Sequence, residues 1–125
     1  MEKFHLADAG ELKRRYAAGE REFEQASLRR ANLEGVILHG VDLSEAVLSQ
    51  ANLHKADLRG ADLSWADLSK ANLRETDLRG AILTRADLSG ADLSGANLLK
   101  ADLSLANLTK TKLSEAILPD GTIHD

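Results

Sequence analysis

The stretch ADLSGADLSGANL, residues 86–98, says nearly the same thing three times, with Ala, then Asp or Asn, then Leu returning every five residues. From Leu28 to Leu118 every fifth residue is Leu without exception, and Phe23 extends the series one step towards the N-terminus. Two residues before each Leu stands Ala, replaced only by Val36, Val41, Thr76 and Thr111, so this position is always small or slender. Just before each Leu the usual residue is Asp or Asn, as at Asp57, Asp62, Asp67 and Asn72. A period of five suits neither regular structure. On an α-helix five steps advance about 500°, or about 140° net, which smears the leucines around the circumference. On a continuous strand an odd step throws successive leucines to opposite faces. If the chain instead turns a corner once per pentad, every Leu points inward with the small residue beside it. The sequence therefore predicts an all-β solenoid whose walls are short extended segments.

Residues on one wall should recur at the coil length, and a period of twenty has support. Gly40, Gly60 and Gly80 are spaced by it, as are Asn32, Asn52 and Asn72. Gly35, Gly90 and Gly95 do not join the glycine series, and Ile37, Ile82 and Ile117 show no single register. Four pentads per coil give about five coils and, at about 4.8 Å between coils, a rod about 24 Å long.

Composition agrees with a narrow core. Phe4, Phe23, Tyr16 and Trp65 are the only aromatic residues among 125, so leucine and alanine supply most of the apolar surface. The net charge of −4 favours solubility without pointing to direct nucleic-acid binding. The absence of cysteine leaves neither a disulfide framework nor a thiolate metal site and suits a cytoplasmic location. No apolar run resembles a signal peptide or a membrane span.

Where stacking stops, a solenoid exposes its core and unpaired edges. Residues 8–18, DAGELKRRYAA, predict a short helix: Asp8 caps it, Glu11 completes a capping-box pattern, and Gly19 suits its end. Leu12 and Tyr16, one turn apart, would lie over the first coil. Pro119-Asp120-Gly121-Thr122 marks a turn that could bring Ile123 back over the last coil. The expected organisation is a capping segment at 1–20, repeats at 21–120 and a tail at 121–125.

These A(D/N)Lxx units resemble the pentapeptide repeat family. The resemblance implies a right-handed quadrilateral β-helix with four pentads per coil, Leu as the central inward residue and Ala as the small inward one. The segments RYAAGEREF and LPDGTIHD resemble the flanks of repeat proteins common in photosynthetic bacteria.

No catalytic, cofactor or metal site emerges. The glycines sit at corners rather than in a phosphate loop, and His5, His39, His54 and His124 lack ligand spacing. Aligned carboxylates such as Asp42 with Asp62, Asp57 with Asp77 and Asp67 with Asp87 follow automatically from a repeat, and hydrogen bonding at the corners explains them better than paired-acid chemistry. Three surface features carry a functional reading. Trp65, between Glu45 and Arg85 in its column, either anchors a partner or packs across the Arg85 side chain. Arg59 and Arg79, near Asp57 and Asp77, form either a compensated wall or a site for an acidic partner. Leu99, Leu105, Ile117 and Ile123 read as a C-terminal cap or as a homodimer patch. The resemblance implies a non-enzymatic scaffold or protein-interaction module with an unidentified protein partner. The alternative is DNA mimicry toward gyrase, as in quinolone-resistance members of the family. Corner residues such as Arg29, Arg30, Lys70 and Arg74 would interrupt the acidic stripe that mimicry needs.

Overall fold

The computed structural model describes residues 8–125, so Phe4 and His5 lie outside the described residues. After one helix, α1 (Ala9–Ala17), the chain winds as a right-handed quadrilateral β-helix of five coils, residues 21–120. Its register is twenty residues throughout: parallel bridges link Asp42 to Asp62, Asp67 to Asp87, Asn52 to Asn72 and Asp57 to Asp77, one series on each face. The faces are numbered from the N-terminus, the first running through Asp42, the second through Asp67, the third through Asn52 and the fourth through Asp57. Each face makes only one bridge per coil, because a corner arrives every five residues.

The pentad 66–70 shows how every backbone donor is used. Ala66 N–H closes the preceding corner on the Leu63 carbonyl at 3.1 Å, and Asp67 N–H reaches back one coil to Ala46 O at 2.9 Å. Leu68 N–H reaches forward to Asp87 O at 2.7 Å, and Lys70 N–H to Ser89 O at 2.9 Å. That leaves Ser69 N–H, which donates to Asp67 Oδ1 at 3.0 Å. Where Asp or Asn precedes Leu it thus supplies the one acceptor that the backbone lacks, as Asn32, Asp42, Asp92 and Asn107 also do, whereas Ser27, Ile37, Val47, Ile82 and Lys112 stand at the same position without making this bond. Where Pro119 follows the last Leu there is no N–H to satisfy, and the acceptor position holds Ile117.

The second residue after each Leu from Leu28 to Leu113 has φ near +60°, as a type II turn demands. Every corner therefore favours glycine, which is why Gly35, Gly90 and Gly95 fall outside the Gly40–Gly60–Gly80 series yet sit in equivalent conformations. Inside, the leucines from Leu28 to Leu98 and most of the small residues beside them are fully buried.

The two ends differ. Asp8 Oδ1 accepts from Glu11 N–H at 2.8 Å, but the other half of the expected capping box gives way to a Glu11–Arg15 pair at 3.1 Å. Leu12 is buried against the first coil, and the Tyr16 hydroxyl donates to the His39 carbonyl at 2.6 Å. At the C-terminus the chain turns at Gly121, and Ile123 pairs antiparallel with Ile117. This strap edges the fourth face without covering the coil: Ile123 remains 68% exposed, and Leu103, Leu108 and Leu113 are only partly covered.

Leu68→Lys places an unpaired charge in the middle coil and should cost about 3 kcal/mol or more. Ser69→Lys should cost less than about 1 kcal/mol, since only a hydroxyl hydrogen bond is lost. Thermal denaturation followed by circular dichroism measures both, and equal melting would refute the inward assignment of Leu68.

Candidate interaction surfaces

With the core and the corner acceptors committed to the fold, chemistry is left to the outward columns. At the corner after the fourth face, Arg59 holds Asp57 through two hydrogen bonds of 2.9 and 2.8 Å, and one coil on Arg79 holds Asp77 at 2.9 and 2.6 Å. Arg59 also lies 3.8 Å from Asp77, which ties the two pairs together. The Arg59 hydrogen bond holds the Asp57 carboxyl below its usual range, and Arg79 does the same for Asp77. Both arginines are thus paired with carboxylates of their own wall while remaining about half exposed.

The corner between the third and fourth faces carries a different cluster. His54 Nε2 stands 3.2 Å from Glu75 Oε2 and Nδ1 stands 3.5 Å from Glu34 Oε2, so one imidazole bridges three successive coils. The His54 hydrogen bond lowers the Glu75 pKa. Spacing alone could not reveal this cluster, because its members occupy two different positions of the pentad. His39 lies on a different corner, its ring edge-on to Tyr16.

Trp65 is 60% exposed, with the Arg85 guanidinium 5.0 Å from its ring centre. Leu105 follows in the same column and is 71% exposed. The structure thereby separates Leu105 from the other members of the expected C-terminal patch. Leu99 and Ile117 belong to the fourth face and its corner, where Ile117 pairs with Ile123 and Leu99 approaches Gly121.

Bases and acids are also segregated. The corner between the second and third faces holds Arg29, Arg30, Lys70 and Lys110 with no acid, whereas the corner between the first and second holds Arg85 as its single base. Among the described residues no group of three or more His, Cys, Asp or Glu side chains is placed to hold a metal, and no helix is long and apolar enough to cross a membrane.

The fold and its repeating corners define a class of protein, and comparison with known sequences agrees. The chain belongs to the pentapeptide repeat family, whose eight-copy model matches residues 26–64, 61–98 and 86–120. A pentapeptide repeat protein from Nostoc PCC 7120 is 42% identical with a TM-score of 0.78, over 90% of this chain and 98% of its own. One from the Arabidopsis thaliana thylakoid lumen is 33% identical with a TM-score of 0.69, over 75% of this chain and 66% of its own. Another, from the cyanobacterium Cyanothece 51142, is 33% identical with a TM-score of 0.60, over 83% of this chain and 64% of its own. No curated protein matches the chain.

Because the folded pKa values of Asp57 and Asp77 are depressed, their contribution to stability is present above the unfolded carboxylate range. It is lost as the pH falls through the folded values, below about pH 4. Replacing Arg59 and Arg79 by Gln should flatten this acid limb. Melting temperature measured from pH 6 down to pH 2.5 tests it, and an unchanged slope in the double variant would show that the pairs contribute nothing.

Proposed function

We propose that the protein is a non-enzymatic protein-interaction module that associates with a second copy through its C-terminal end and offers its outward columns to another protein. The observation that carries self-association is the difference between the ends. α1 lies over the first coil with Leu12 buried, whereas Leu103, Leu108 and Leu113 are incompletely covered and their N–H groups find no backbone acceptor among the described residues. Unpaired edges beside exposed apolar side chains favour association. Contact between two C-terminal ends is isologous and closes at two copies, because α1 blocks the other end of each rod.

Support for a binding rather than a chemical role comes from the carboxylates. Asp42, Asp62, Asp67 and Asp87 each accept a corner N–H and a serine hydroxyl, which keeps them in structural use. The DNA-mimic alternative fits less well, since every corner carries at least one base and the Asp57 and Asp77 charges are matched by Arg59 and Arg79.

Light scattering over a range of concentrations should give twice the chain mass of 13.5 kDa. Leu108→Glu, at a site 39% exposed on the open end, should return the chain to a monomer with unchanged melting. A wild-type monomer at every concentration would overturn the end-to-end contact. In a separate assay at low salt, supercoiling of relaxed plasmid by gyrase should be unaffected by micromolar protein, and salt-reversible inhibition would establish the mimic reading instead.

A further inference from the structure

Exposed apolar side chains are not spread evenly over the rod. Trp65 and Leu105 stand on the corner between the first and second faces, and Ile82, 42% exposed, lies on the first face in the coil between them. The Trp65 backbone has φ +61°, in the left-handed region that bulky side chains rarely occupy. Six other corners use glycine there, so this position carries a large ring that the core does not need.

The charge around the three is one-sided. The first face presents Asp42, Asp62 and Asp102, and the second presents Asp67 and Asp87. Among the described residues no Lys or Arg forms an ion pair with any of these acids, in contrast to Asp57 and Asp77 on the fourth face. The single base on the ridge, Arg85, lies over Trp65.

From the apolar ridge and its flanking charge we propose that this corner is a docking site for a basic amphipathic helix of a partner protein. The proposal rests on the interaction-module reading and gives that partner a chemistry. Trp65 and Leu105 are two coils apart, about 10 Å. Residues i and i+7 on one stripe of an α-helix are separated by about 10.5 Å. A helix laid along the ridge meets Trp65 and Leu105 with residues two turns apart on its apolar stripe, and Lys or Arg on its flanks meets Asp62 on one side and Asp67 and Asp87 on the other. Exposed tryptophan is well suited to anchor such a contact, and the acids discriminate against an acidic helix of the same apolar pattern.

Trp65 is the only tryptophan in the chain, so its emission reports occupancy directly. The probe is a tryptophan-free amphipathic Leu/Lys helical peptide, with a Leu/Glu peptide of the same pattern as control. The Leu/Lys peptide should shift Trp65 emission to the blue saturably, and the Leu/Glu peptide should not. Asp62→Asn with Asp87→Asn keeps the Oδ1 acceptors of both corners and should weaken binding about tenfold. Asp57→Asn, at a charge already held by Arg59, should leave binding unchanged. Trp65→Gly suits the left-handed corner and should abolish binding measured by calorimetry. No saturable shift, an equal response to the Leu/Glu peptide, or equal weakening by Asp57→Asn would overturn the site. None of these outcomes depends on whether the C-terminal ends associate, which light scattering of the Leu108→Glu variant decides separately.

Discussion

The fold depends on one hydrogen bond repeated at most of the corners: an Asp or Asn Oδ1 accepting the N–H two residues later. A chain that turns every five residues cannot satisfy all its donors by pairing between coils. Four of the five N–H groups in a pentad find carbonyls, and the fifth faces its own corner. A short side-chain acceptor ahead of Leu closes that gap within the pentad, so this one bond does not wait for the next coil. The buried Leu and small residue then set the width of the rod, and the register of twenty follows from stacking like on like.

Because those demands consume three positions of each pentad, the two after Leu are left to solvent and partners. Their backbone is fixed while their side chains vary from Gly to Trp to Lys, so the rod is a rigid frame with interchangeable decoration. Side-chain pairs across coils, such as Arg30 with Gln50 at 2.6 Å or Gln25 with Glu45 at 3.1 Å, link neighbouring corners. Exposed pairs of this kind contribute little each. Their value lies in where they leave charge unmatched, which on this molecule is the flank of Asp42, Asp62, Asp67 and Asp87.

The coil was legible in the sequence because a five-residue period with a fixed Leu has only one geometry that buries every copy. Register was less so. The Gly40–Gly60–Gly80 series is a true column on one corner, but Gly35, Gly90 and Gly95 blur it because every corner accepts glycine, whereas the Asn32–Asn52–Asn72 series marks a ladder with amide contacts of 3.5 Å. Surface sites were legible only in part. Arg59 and Arg79 share a pentad position with their neighbours and could be paired with Asp57 and Asp77 by counting. The His54 cluster and the company of Leu105 depend on which side chains bend along the axis and on which face each residue decorates. The incomplete cover given by Ile123 was not legible either, since a turn signal at Pro119–Gly121 shows that the chain returns but not how far across the coil it reaches.

The uniform corner separates core from decoration in a way that affects how such a chain can change. Removing or adding twenty residues shortens or lengthens the rod by one layer and leaves every outward column in place. Removing or adding five keeps each Leu inward and each Oδ1 beside its N–H, yet turns everything downstream by a quarter revolution relative to what lies upstream. The acids beside Trp65 would then face the bases that now lie one corner away. A single in-frame pentad is therefore a rotary step, able to reassort binding columns around an unaltered axle without disturbing a buried residue.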